Sequence, residues 1–272
     1  MPIAVKTYPS NAEAASALAG DHGARYLSGG TLVMRDINEG DLSFATLVRS
    51  TDRALMRLET QGAHLVLGAG VTYARILAER DLSFLHPVAR SIGGPAVRNM
   101  GTVGGNLSAA APFGDFTTAL LALDAVVSVQ SGFDAREMAL EEFLASRDRS
   151  AAALVLSLAV PRPSNPQAFR YLKVARIKPK GASVVTLAAY LPLSGGRVVG
   201  ARIALGAMGP RALRAKAAER ALEGRSLDAT SIAAASAVVA ERTAPADDSL
   251  ASASYRSEVA GVHLKRLLSG EP

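Results

Sequence analysis

Apolar and polar positions along this chain alternate between two rhythms, one of period two and one near 3.6, and their order predicts the architecture. Ser10 and Glu13 have the spacing of a capping box and open a short Ala-rich helix that ends near Gly20 or Gly23. "ARYLSGGT" reads as a strand running into a glycine turn, "MRDIN" as a brief helical turn, and "FATLVRS" as a strand. "LMRLET" and "HLVLGAG", separated by "QGA", alternate like a hairpin. "TYARILAER" and "FLHPVARSI" read as helical, the second interrupted by Pro87. "TTALLALDA", after Asp115, is a buried helix leading into the strand "VVSVQ", and the strand "ALVLSLAVP" closes this half.

"PRPSNPQ", with three prolines in seven residues, is the linker. Beyond it three strands come first, "AFRYLKVARI", "SVVTLAAYLPL" and "RVVGARIALGAM". Three helices follow, "RALRAKAAERALEG", "SIAAASAVVAER" and "SLASASYRSEVAGVHLKRLL". Strands followed by helices predict an α+β layer, with helices on one face of a three-stranded antiparallel sheet. The domains expected are therefore 1–162 and 167–272.

Composition narrows the function. At 272 residues the chain has ample mass for a real core. Its formal charge is +6, from 30 Lys and Arg against 24 Asp and Glu, which favours anionic ligands. The basic residues are scattered and aromatics are only 5%, so the stacking signature of a nucleic-acid binder is lacking. Without cysteine there are no disulfides, no thiol catalysis and no iron–sulfur cluster held by this chain. The four histidines have no metal-ligand spacing. No run reaches the ~18 uninterrupted apolar residues of a membrane span, and the amino terminus lacks the pattern of a leader, so a soluble, cytoplasmic protein is expected.

Two glycine loops carry the candidate chemistry, "YLSGGTLV" and "GTVGGNLS". A glycine cluster marks either a left-handed turn or a backbone that something approaches closely. Each loop places small hydroxyl residues, Ser28 and Thr31 or Thr102 and Ser108, beside consecutive amides. Such amides form concave donor nests for phosphate oxygens, and two nests facing each other would hold a pyrophosphate. Neither loop is a Rossmann fingerprint or a P-loop, and each taken alone is an ordinary turn.

"SGGTLV", "LGAGVTYARI", "IGGPAVRNMGTVGGNLSAAAPFGDFTTALLALDA", "YLKVAR", "IALGAMGPRALRAKAAERALEG" and "YRSEVAGVHLKRLL" together resemble the flavin-binding medium subunits of molybdenum hydroxylases. That family includes the carbon monoxide dehydrogenase medium subunits and the FAD domain of xanthine dehydrogenase. The resemblance runs from about residue 3 to about residue 269. It implies a two-lobed FAD domain of the vanillyl-alcohol-oxidase type, with lobes at about 1–50 and 51–162, followed by a smaller α+β domain. It implies that Ser28, Gly29, Gly30, Thr31 and Leu32 form one pyrophosphate loop, and Thr102, Val103, Gly104, Gly105 and Asn106 the other. Asp115 corresponds to an acid that hydrogen-bonds the flavin, with a rival role as a helix N-cap. Ile92 and Leu156 correspond to apolar cofactor contacts, though both suit ordinary core, and Lys173 to a polar contact.

The function implied is electron transfer through FAD, with no catalytic acid or base in this chain. A partner small subunit would carry [2Fe–2S] clusters and a large subunit the molybdenum cofactor, in a dimer of heterotrimers. A stand-alone flavin reductase of the same cofactor fold and a scaffold subunit without FAD are the alternatives. One departure from the family stands in "IKPKGASVV", where Lys180 and Gly181 replace an acid and a bulky residue expected near the flavin. A more open flavin follows if that turn lies over the cofactor.

Overall fold

The computed structural model describes residues 3–41, 43–146, 153–178 and 181–270. The chain forms two compact units, neither continuous in sequence. One comprises Met1–Ile76, Pro95–Ser108 and Ala125–Pro161; the other Leu77–Gly94, Ala109–Asp124 and Arg162–Pro272.

The first unit contains two sheets. Strands β1 (Ala4–Tyr8), β2 (Ala24–Tyr26) and β3 (Thr46–Ser50) form a parallel sheet in the order β1-β3-β2. The helix Asn11–Gly20 connects β1 to β2, and the Ser10 side chain caps it by accepting the Glu13 amide at 3.2 Å. Its small apolar face, Ala14, Ala15 and Leu18, packs with Val48 of β3 and Leu154, and Ala at the contact lets the helix approach closely.

The second sheet is antiparallel, with β4 (Leu58–Gln61), β5 (His64–Gly68), β6 (Val126–Ser131), β7 (Asp134–Ala139) and β8 (Leu154–Pro161) in the order β4-β5-β8-β6-β7. Alternate residues of the central strands are buried, such as Leu65 and Leu67 of β5 and Val127 and Val129 of β6. Edge strand β7, "DAREMA", is exposed at nearly every position, so period-two reading of the sequence misses it.

The second unit holds β9 (Phe169–Ala175), β10 (Ser183–Tyr190), β11 (Leu193–Ser194), β12 (Arg197–Val198), β13 (Arg202–Gly206) and β14 (Leu213–Arg214). Four of them pair antiparallel in the order β14-β13-β10-β9, where three strands were expected, and β11–β12 is a separate two-stranded ribbon. "RVVGARIALGAM" is split because Gly200 turns the chain at φ +70, leaving β12 in the ribbon and β13 in the sheet. "RALRAKAAERALEG" likewise opens as β14 and becomes helical only over Lys216–Leu222.

The helices Ala229–Val238 and Ala253–Ser269 complete this unit, the first closed by a capping box between Asp228 and Ser231. A core of Leu187, Ile203, Leu205, Ile232 and Leu264 joins sheet and helices. The helix Asp115–Ala122 is buried at every position and packs on β10 and β13. Gly206 permits that contact, because a Cβ there would lie 2.5 Å from Thr118 Oγ1. Pro87 stands in the first turn of the helix His86–Arg90, where its missing N–H costs nothing, so it opens that helix instead of interrupting one.

Candidate functional site

The first glycine loop, Ser28 to Leu32, leaves β2 and leads into the helix Val33–Asn38. Its two glycines have different reasons. Gly30 adopts φ +74, in the left-handed region that a Cβ disfavours. Gly29 lies against the chain itself, and a Cβ there would fall 1.8 Å from the Met100 carbonyl oxygen. Among the described residues, the amides of Ser28, Gly29, Gly30 and Thr31 donate to no atom of the chain. Four consecutive donors in a half-buried turn need partners from outside the polypeptide.

The second loop is built differently. Residues 103–107 form a short helix whose N-cap is Thr102, and the Thr102 side chain accepts the Gly105 amide at 3.1 Å. The Val103 amide donates to Val71 O at 3.0 Å, Gly104 to Ala69 O at 2.8 Å, and Asn106 to Thr102 O at 3.1 Å. The expected second nest of free amides is therefore absent, because Val71 and Ala69 take the amides of Val103 and Gly104, and Thr102 takes those of Gly105 and Asn106. Gly104 makes that approach possible, since a Cβ would stand 2.7 Å from Ala69 Cβ. Gly105 has no left-handed φ, and a Cβ there would meet only Thr102 Oγ1, at 3.0 Å.

Beyond the approach of Gly29 to Met100 and Gly101, the loops share a side-chain contact. Ser28 Oγ and Thr102 Oγ1 share a hydrogen bond of 2.8 Å. Buried Thr102 thus stands beside a loop with unspent donors, and buried Asn106 lies one turn further along the short helix. Leu156, on β8 of the same unit, packs partly against the small apolar core of the first helix. It also lines a cavity of ≈ 260 Å³ with Asn11, Arg57, Glu59, Ser128 and Glu137.

Ile92, Asp115 and Lys173 belong to the second unit. Ile92 is half-buried just after the helix His86–Arg90. Asp115 is the first residue of its helix and not the cap, which is Gly114 at φ +103. Its carboxylate is enclosed: Oδ2 accepts from Lys173 Nζ at 2.8 Å, and Oδ1 from Ser183 Oγ at 2.6 Å and Thr186 Oγ1 at 2.5 Å. Both ionic side chains are 8% exposed. Lys173 Nζ also donates to Ser91 O at 3.1 Å, while Ser91 Oγ bonds the Tyr171 hydroxyl at 2.9 Å.

Ser183 and Thr186 escaped sequence reading because residues three apart in a regular strand face opposite ways. A register shift between Ser183 and Val185 turns both toward Asp115. The fully buried Arg256 donates to the carbonyls of Ser183 at 3.2 Å and Val184 at 2.5 Å and pairs with Asp248 at 2.6 Å. Desolvation pushes the Asp248 carboxyl up, but the amides of Leu250 and Ala251 and the Arg256 guanidinium outweigh it, and the net shift is downward.

Lys180 lies outside the described residues. The Gly181 amide donates to Ile177 O at 2.7 Å, and a Cβ there would lie 2.6 Å from that oxygen, which gives the glycine a cause within the chain.

The family described as FAD binding domain in molybdopterin dehydrogenase matches residues 6–163. The one described as CO dehydrogenase flavoprotein C-terminal domain matches residues 170–270. The carbon monoxide dehydrogenase medium chain of Afipia carboxidovorans is 29% identical over 219 residues, covering 78% of this chain and 76% of that protein. The putative xanthine dehydrogenase FAD-binding subunit of Escherichia coli is 26% identical over 268 residues, 95% of this chain and 92% of its own. A crystal structure of Cu,Mo-CO dehydrogenase in its cyanide-inactivated form superposes with a TM-score of 0.86 at 26% identity, over 99% of this chain and 98% of the other.

Proposed function

The chain belongs to the FAD-binding medium subunits of the molybdenum hydroxylases, and we propose that it carries electrons there from the [2Fe–2S] clusters of a partner subunit, through FAD, to an external acceptor. Bound FAD supplies the redox chemistry, since no side chain of this composition does. The chain's residues bind and orient that group.

The observation that carries the reading is the run of free amides from Ser28 to Thr31. It fits a pyrophosphate in donor chemistry: four N–H groups in a curved backbone, with a left-handed glycine inside it, and no lysine required. Ser28 and Thr31 add hydroxyl donors. The second loop acts through side chains and packing, with Thr102 bonded to Ser28 and Asn106 set beside it on the same short helix. The roles of Leu156, Ile92, Asp115 and Lys173 as cofactor contacts rest on the family resemblance.

We assign 1–162 to the FAD-binding domain and 167–272 to the C-terminal domain, a division supported by the extents of the two family matches. The parallel and antiparallel sheets of the first unit support its two-lobed reading. Cluster-bearing and molybdenum-bearing partners, and a dimer of such heterotrimers, are proposed on the same membership. No helix among the described residues is long and apolar enough to cross a membrane.

Flavin content of the purified chain tests the reading. Wild-type protein should hold FAD, and folded Gly30→Val should not. Co-expression with cluster- and molybdenum-bearing chains should give a stable complex; a chain that stays monomeric beside them contradicts the assembly. Folded Gly30→Val with undiminished FAD contradicts the loop.

A further inference from the structure

We propose that Tyr73 is a positioning residue for the cofactor, acting through Thr102, on the reading that the first loop and Thr102 hold the FAD pyrophosphate. Tyr73 opens the helix Tyr73–Ala78 and is 3% exposed. Its hydroxyl donates to the Thr102 carbonyl at 3.1 Å, and its own amide donates to Gly101 O at 3.2 Å. Thr72 and Thr102 form an antiparallel bridge beside it.

The ring has a place made for it. A Cβ on Gly101 would lie 2.9 Å from Tyr73 Cε2, so glycine at 101 is what admits the aromatic ring under the second loop. Thr102 consequently serves four groups. Its carbonyl takes the Tyr73 hydroxyl and the Asn106 amide, and its hydroxyl meets Ser28 and the Gly105 amide. Peptide planarity leaves only soft torsions at Thr102, so holding its carbonyl restrains ψ, while the bonds of Oγ1 to Ser28 and to the Gly105 amide restrain the side-chain torsion. The Oγ1 position decides whether Ser28 and the four free amides behind it are held in their curve before FAD arrives. Pre-organisation of donors improves affinity by removing the ordering cost from the binding step.

This role makes Tyr73 and Ser28 two supports of one residue, and such supports are non-additive when removed. A purely structural tyrosine would alter stability and leave the coupling in binding at zero.

The test titrates the full chain, stripped of flavin, with FAD by fluorescence quenching. It compares wild type, Tyr73→Phe, Ser28→Ala, the double variant, Gly101→Ala and Gly30→Val, with thermal unfolding of each. Tyr73→Phe keeps the ring and removes one hydrogen bond, and should weaken FAD roughly five-fold, the effect of one such bond. The double variant should be weakened little more than the stronger single one, and the thermal melts show whether each variant is folded at the titration temperature. Gly101→Ala, which keeps the tyrosine hydroxyl but displaces the ring that carries it, should reproduce the loss of Tyr73→Phe. Wild-type FAD affinity in Tyr73→Phe and Gly101→Ala, with FAD lost in Gly30→Val, overturns the role of Tyr73 and leaves the loop reading standing. Independent, multiplicative losses in the double variant overturn it as well. FAD retained by folded Gly30→Val overturns the loop reading beneath it.

Discussion

The two glycine loops look alike in sequence and differ in their hydrogen-bond accounts. In "SGGTL" four successive amides are unspent, whereas in "TVGGN" the amides of Val103, Gly104, Gly105 and Asn106 all have acceptors within the chain. The glycines differ accordingly. Gly30 supplies a left-handed turn, while Gly29 and Gly104 let one backbone lie against another. A glycine pair beside a hydroxyl residue therefore says that a backbone is approached closely, and the surrounding fold decides by what. The Asp115 carboxylate extends the contrast to the second unit, where a residue that resembles a ligand contact already accepts from Lys173, Ser183 and Thr186.

The sharpest break of the comparison is at Gly29. With Met100 O only 1.8 Å from the added carbon, Gly29→Ala cannot be accommodated by rotating a side chain. The two backbones must part, at a cost above the ~1–3 kcal/mol of ordinary overpacking. Urea unfolding should show that loss together with lost FAD. A Gly29→Ala chain of wild-type stability would mean that the loops do not touch there.

Next in size is Lys173→Met. Removing one member of a buried pair leaves Asp115 charged with two hydroxyl donors and no cation, and one-sided removal costs about 3–5 kcal/mol. Asp115→Asn in the same background should recover part of it, because an amide needs no counter-ion. Equal stabilities of Lys173→Met and wild type would show the carboxylate to be open to water and free to meet a ligand.

Third is Gly30→Val, whose effect falls on binding. Holding a β-branched residue at φ +74 costs roughly 1–3 kcal/mol of strain, which the loop avoids by changing shape. Misdirecting one or two charge-assisted donors should weaken FAD on the order of 100-fold. Calorimetric titration measures it, and a loss under three-fold would return the first loop to the status of an ordinary turn.

Much of this contrast was beyond sequence reading for a definite reason. Elements with a buried face were legible, as with β5, β6, β8, β10 and the helix Asp115–Ala122, because apolar spacing reports burial. Strand β7 has no buried face, and β14 is two residues long. The residues of both loops were also legible, from glycines next to small hydroxyls. Which amides stay free was not, because the acceptors Ala69 O and Val71 O belong to a distant segment whose pairing depends on the tertiary fold. The companions of Asp115 were hidden in the same way behind the irregular register at Ser183 and Val185.

The smallest expected effect belongs to Gly105→Ala, and it separates the loops most cleanly. Gly105 sits inside the short helix at Val103–Leu107, its φ is not left-handed, and the sole close neighbour of an added carbon is Thr102 Oγ1 at 3.0 Å. Alanine gains up to ~1 kcal/mol over glycine in a helix, and the hydroxyl must yield a few tenths of an ångström in return. The two contributions oppose each other, so stability should change by less than about 1 kcal/mol. FAD affinity should fall only as far as Thr102 shifts against Ser28, a few-fold at most on the scale of one weakened hydrogen bond. Paired thermal melts and FAD titrations of Gly105→Ala and Gly30→Ala decide the matter. If the two variants lose FAD equally while both remain folded, the second loop also presents its backbone to the cofactor, and the difference drawn between the loops is wrong.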